Sequence, residues 1–165
     1  MSIVATLPVV TRIGDELFNR LNRLAAGYSD YTYVYEVVKA TRLAQYTPRH
    51  LQIILTKGDR ERRPENDCFG NPQGLAYAQR FDIRCHVLPS ELDDTPIDQY
   101  CEIFEADIVK TVCDATRWHT FGELAISAEW IDPEAIVSEG GIGGVNVPIS
   151  IVYRIDEGNP YNVRS

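Results

Sequence analysis

The 165-residue sequence predicts an α+β fold: a mostly antiparallel sheet of about five strands with two helices packed on one face. Three observations lead there. Two segments carry apolar residues at helical spacing, five others alternate or are rich in β-branched and aromatic residues, and most strand-to-strand links are short. The resulting order is α-β-β-β-α-β-β, in which short links make hairpins and so antiparallel neighbours. Length and composition suit a single domain over residues 1–165, with no internal repeat or low-complexity stretch.

The first helix is predicted over 11–26, where Ile13, Leu17, Leu21 and Leu24 share one face. Thr11 stands at its N-cap, Asp15 and Glu16 suit the dipole near its start, and Gly27 is placed to end it. A strand over 31–42 follows from the run YTYVYEVVKATR, and a second from Leu51, Ile53 and Leu55 alternating with Gln52, Ile54 and Thr56. Polar residues with two prolines and three glycines then predict a long loop over 57–74.

The third strand, over 75–87, has the cleanest alternation. Phe81, Ile83, Cys85 and Val87 fall on one face; Arg80, Asp82, Arg84 and His86 fall on the other. That second face is too polar for another core layer and is expected to meet water or another subunit. The second helix is predicted over 97–115, with Thr95 at the N-cap, Pro96 first in the helix, Asp98 in the first turn, and Ile97, Cys101, Phe104, Ile108 and Val112 buried. Two further strands come from ELAISAEW and VNVPISIVYRI. The link at 131–146 contains Gly140, Gly141, Gly143 and Gly144 and is expected to be a mobile hairpin arm.

Composition excludes several function classes. No run of about 18 apolar residues predicts a membrane-spanning helix, and the N-terminus MSIVATLPVVTRIGDE lacks the features of a signal peptide. A net charge of −8 argues against general nucleic-acid binding. The charge is split: residues 1–90 hold 12 Lys+Arg and 9 Asp+Glu, residues 91–165 hold 4 and 15, giving balances of +3 and −11. Cys68, Cys85, Cys101 and Cys113 form no zinc spacing, and free thiols in a reducing compartment are expected, buried at Cys85, Cys101 and Cys113 and reachable at Cys68.

Catalytic signatures are not evident. The glycine cluster lacks G-K-[ST], the acidic pairs sit in predicted loops, and neither G-x-S-x-G nor a Cys–His signature occurs. His50, His86 and His119 have no metal-ligand spacing, so no metal, cofactor or enzymatic activity is expected. Trp118, Trp130, Tyr153 and Tyr161 are expected to pack in the core or at interfaces rather than stack on a ligand.

The segments DELFNRLNRL, TKGD, RFDIRCHV, DQYCEIFEADIVKTV and VYRIDEGNPY, in this order, resemble the tail terminator proteins of long-tailed bacteriophages. The resemblance covers most of the chain and rests on pattern and order rather than on one motif. It implies an α/β sandwich and a homo-oligomeric ring, usually a hexamer, at the head-proximal end of the tail tube. Such a ring stops tube polymerisation and joins the tail to a neck or head-connector protein, with DNA passing only through the lumen. It also implies a virion location, after assembly in the host cytoplasm.

A cyclic ring uses heterologous contacts, one patch meeting a different one. The oppositely charged halves are expected to supply such patches. Asp59, Arg60, Glu61, Arg62 and Arg63 are candidates for one contact; Ile142 in the glycine-rich loop, with Asn159 and Tyr161 near the C-terminus, are candidates for another. Competing readings are a head-completion or neck protein of the same particle, a monomeric regulatory domain, and a small metal-dependent enzyme using His50 and His86.

Overall fold

The computed structural model describes residues 7–28, 30–39, 49–88, 91, 94–138 and 141–164. Its sheet is organised on one long strand, β6 (Gly141–Asp156). Along one edge β6 pairs antiparallel with β3 (Gly74–His86), from Asp156 opposite Gly74 to Gly144 opposite His86. Along the other edge three short strands share its length: β5 (Glu134–Ser138), β4 (Ser127–Trp130) and β7 (Asn159–Val163). Beyond β3 lie β2 (Gln52–Arg62), antiparallel, and then β1 (Glu36–Lys39), parallel to β2. The chain is α+β, with seven strands rather than about five.

Helices α1 (Val9–Leu21) and α2 (Ile97–Cys113) cover one face of this sheet. Val9, Ile13, Leu17 and Leu21 of α1 and Phe104, Ile108 and Val112 of α2 join Ile53, Leu55, Phe81, Ile83, Cys85, Val147 and Ile149 in one core. Burying each of these large side chains contributes about 1.5–3 kcal/mol before conformational entropy is subtracted. Gly14 lets α1 lie close on β3, because a Cβ there would stand 3.2 Å from the Phe81 ring. Arg20 fastens the helices together. Its guanidinium donates to the carbonyls of Val112 (3.1 Å) and Trp118 (2.8 Å) and lies 4.4 Å over the Phe121 ring.

Several expectations shift. α1 begins a turn early: Pro8 occupies the N-cap position, Thr11 lies inside the helix, and Val9 extends the apolar stripe. Its final turn tightens to a 3-10 helix at Asn22–Ala26, which ends at Gly27 (φ +69°) as expected. For α2 the N-cap is Pro96, not Thr95, the helix ends at Cys113, and Tyr100 is buried where Ile97 and Cys101 are only half-buried. The reason is an aromatic cluster: Tyr33 stacks on Tyr100 at 5.6 Å, and Tyr35 meets Phe104 edge-on at 5.9 Å. That cluster draws 31–35 off the sheet, so the strand predicted over 31–42 is reduced to Glu36–Lys39, with 40–48 outside the described residues. β1 is parallel to β2 because the dozen residues between them suit a crossover rather than a hairpin.

Both predicted loops contain strand. β2 continues through Arg62 across an irregularity between Lys57 and Arg60, where the buried Gln79 amide donates to the carbonyls of Gly58 (2.8 Å) and Asp59 (3.3 Å). The irregular loop is thus 63–73. The segment 131–146 is largely the β5–β6 hairpin, with its turn at 139–140 outside the described residues. The strand expected from ELAISAEW starts only at Ser127. Cys85 is buried, but Cys68, Cys101 and Cys113 are half-buried. Among the described residues no helix is long and apolar enough to cross a membrane.

Two substitutions test this packing. The Tyr35 hydroxyl donates to Asp107 Oδ2 at 2.6 Å in the core; burial, and then Asp107, raise the phenol's pKa well above its ordinary value. Tyr35→Phe leaves the buried Asp107 carboxylate without this donor, so a loss of about 1–3 kcal/mol is expected in chemical denaturation. Gly144 has φ +145°, and a Cβ there would run into the Cys85 carbonyl oxygen. Gly144→Ala is therefore expected to lower the melting temperature more than Gly141→Ala, which shares the positive φ (+110°) but has open space around its Cβ. Equal melting temperatures would contradict this placement.

Candidate functional site

One end of the sheet is built by the β2–β3 connection and β7. Arg62 and Asp67 form a two-pronged ion pair (2.6 and 2.8 Å), Arg62 also donates to the Ala76 carbonyl (2.8 Å), and the Ala76 amide donates back to Asp67 Oδ1 (2.8 Å). Cys68 and Gly74 exchange backbone hydrogen bonds, and the Arg154 guanidinium donates to the Asn66 carbonyl. The loop is therefore braced on both sides. Arg60 and Arg62 lie over the Tyr77 ring (4.9 and 5.2 Å), and Tyr77 stacks on the buried Tyr153 at 6.0 Å. At the tip stands Phe69, 99% exposed.

The candidates at this end have different positions. Arg62 is engaged in the brace, and Arg63 pairs with Glu61 (3.2 Å) and Glu65 (3.7 Å). Asp59 and Glu61 are on the strand flanking the irregularity. Asn159 and Tyr161 lie in β7, which pairs with β6 beside Asp156; the Glu157 amide bonds the Gln73 carbonyl (2.8 Å), so this segment adjoins the loop. The Tyr161 side chain is 46% exposed while its carbonyl accepts from Arg12 Nη2 at 2.7 Å. The structure thus joins Asn159 and Tyr161 to the Asp59–Arg63 group, not to Ile142.

Ile142 lies at the opposite end. It faces Val137 across the β5–β6 hairpin, and the two are 42% and 75% exposed. Beside them a groove of about 250 Å³ runs between the hairpin and α2, floored by Cys101, Pro133, Ala135, Ile142 and Val145. Its rim carries Asp98, Glu102 and Glu105, one helical stripe at i, i+4 and i+7. No described cation forms an ion pair with these three carboxylates.

Part of the charge split is neutralised within the first half. Cations of the first half are bridged mainly to first-half carboxylates: Arg20 to Glu16, Lys39 to Asp15, Arg49 to Glu36, Arg62 to Asp67 and Arg80 to Asp82. Among the described residues, Asp98, Glu102 and Glu105 on α2 form no ion pair, and neither do Arg12, Lys57, Arg60 and Arg84. On the polar sheet face Asp82 accepts from Arg80 (2.8 Å) and Asn146 (2.8 Å), and Glu134 lies 3.5 Å from Arg80, while the buried Asn146 Oδ1 has no hydrogen-bond partner among the described residues. Of the histidines, His50 accepts from the Leu88 amide at 3.3 Å, His119 lies beside Trp118, and burial lowers the His86 pKa, aided by Arg84. Among the described residues no group of three His, Cys, Asp or Glu is placed to hold a metal ion.

Phe69, Val137 and the α2 groove were not anticipated from the sequence. Phe69 offered a signal, as a lone aromatic within the polar turn residues NDCFGNPQG. The groove offered none, because it forms between segments some 40 residues apart. Compared with models of known protein families and with curated protein sequences, the chain matches none.

Bracing by Arg62 and Asp67 has a pH signature. The Arg62 hydrogen bonds, and then the Ala76 amide, hold the Asp67 carboxyl down at about 2. Its stabilisation is fully present above the ordinary carboxyl range near ~4 and is lost as pH falls through about 2. Limited proteolysis of 63–73 by pepsin is expected to stay slow at pH 3.5 in the wild type and to accelerate in Asp67→Asn. Identical cleavage rates would show that the pair does not brace the loop.

Proposed function

We propose that the chain is a ring-forming structural subunit that caps a phage tail tube, stops its polymerisation and joins the tail to the neck. The observation that supports this best is the placement of two unlike contact regions at opposite ends of one continuous sheet. Gly74 and Cys85 are eleven residues apart along β3, about 37 Å at ~3.4 Å per residue. The braced Phe69 loop adjoins the first and the acidic groove adjoins the second. Unlike patches on one rigid body are what head-to-tail association into a closed ring requires. The order helix, three strands, helix, then further strands is in keeping with the resemblance in DELFNRLNRL through VYRIDEGNPY, with four strands after the second helix rather than two.

In this reading the ring has one face matched to the tube and another to the neck, and DNA passes through its lumen. Capping needs no chemistry. A subunit that copies the tube's last layer on one side, and offers no further copy of it on the other, halts growth by geometry alone.

The test is mass in solution by light scattering, with and without purified tail-tube protein, paired with tube lengths by electron microscopy. A ring, six subunits by the resemblance, and shortened tubes are expected. A chain that remains a strict monomer and leaves tube length unchanged would overturn the proposal. Binding to a neck protein without effect on tubes would instead favour the head-completion reading.

A further inference from the structure

The two ends of the sheet fit each other. We infer that the Phe69 side chain of one copy seats in the groove between α2 and the β5–β6 hairpin of the next, an inference that rests on the ring reading. Three features carry it.

The first is the knob. A fully exposed phenylalanine normally costs little only where the chain around it is free to fold over it. Here the Arg62–Asp67 pair, the Cys68–Gly74 bridge and the Arg154 bond to Asn66 fix the loop. The backbone that carries the ring is therefore ordered before binding, with the ring held out in water. Such a pre-ordered aromatic loses little entropy on binding and acts as an interface anchor.

The second is the hole. Its floor is apolar and its volume, about 250 Å³, exceeds the ~150 Å³ of an apolar cavity known to take benzene. The knob cannot reach the groove of its own chain, since the β3–β6 ladder separates them by about 37 Å. A second copy is the occupant that brings the pair together, and one knob-to-hole contact repeated with a rotation that closes makes a ring.

The third is charge. The rim carboxylates Asp98, Glu102 and Glu105 have no ion pair among the described residues. Arginines gather at the knob end: the Arg164 guanidinium lies against Gly70, next to Phe69, and Arg63 sits at the base of the loop. Arg63 bridges Glu61 at 3.2 Å and Glu65 at 3.7 Å, all three side chains exposed, while Arg164 lies 3.6 Å from the mostly buried Asp156. Exposed bridges such as those of Arg63 contribute little, so redirecting this guanidinium to a neighbour's rim costs little.

The test places the photoreactive residue p-benzoylphenylalanine at position 69 and irradiates a mixture of isotopically light and heavy chains. Cross-links between copies are expected to fall within 98–105 or 133–145. Alongside, Phe69→Asp and Ile142→Asp, both at exposed positions, are each expected to weaken self-association by ~30-fold or more, the loss expected of an interface hot spot. Circular dichroism and melting temperature confirm that both variants fold. If wild-type rings form and shorten tubes while cross-links map elsewhere, or while both variants associate normally, the seat is overturned and the ring reading stands. Cross-linking of position 69 to tube protein in place of another copy would also overturn it. A wild-type chain that neither self-associates nor shortens tubes overturns both.

Discussion

Everything in the molecule is referred to the ladder between β3 and β6. Its register runs without a shift from Gly74 opposite Asp156 to His86 opposite Gly144. A one-residue slip of β3 would turn Phe81, Ile83 and Cys85 out of the core and bring Arg84 in, so the burial of one face fixes the register. Gly144 closes the ladder where no side chain fits, at the point where the hairpin carrying Ile142 departs. The ladder also sets the distance between the Phe69 loop and the α2 groove. Helices α1 and α2 hold one face of it rigid, and Arg20 locks them to each other through the C-terminal carbonyls of α2, where a cation also suits the helix dipole.

Ion pairing explains why the two ends differ. At the loop end, carboxylates and guanidiniums are interleaved within a few residues, so the charge is spent locally on holding a shape. On α2 the carboxylates are spaced one turn apart with no lysine or arginine between them until Lys110, so they repel one another and stay solvated. Three carboxylates of the acidic excess therefore stand together on α2 without a counter-charge among the described residues. That is a reason for association with something bearing cations, and it is a different reason from two oppositely charged halves.

What the sequence discloses follows from which forces are local. β3 and α2 were legible because Phe81, Ile83 and Cys85, or Phe104, Ile108 and Val112, repeat with the period of their own element. The polar extension of β2 through Asp59, Arg60, Glu61 and Arg62 looked like loop because it runs past the helices, where no apolar face is needed and the Gln79 amide does the satisfying. The β5–β6 hairpin looked mobile because glycines that permit a close backbone approach read the same as glycines that permit motion. The start of α1 was misplaced because Pro8 supplies the helical entry without a side-chain cap. Of the site, the residues Asp59 to Arg63, Ile142, Asn159 and Tyr161 were named individually. Their sorting into two ends needed the register, which is a long-range property.

Native-state hydrogen exchange, on the chain alone and in its assembled form, tests the central claim of a rigid spine with a contact at each end. The account predicts slow, assembly-independent exchange for amides of 76–85 and 145–153. It also predicts that assembly adds protection at both 66–73 and 98–105. Spine amides that exchange as fast as the loop, or protection gained at one end only, would contradict it.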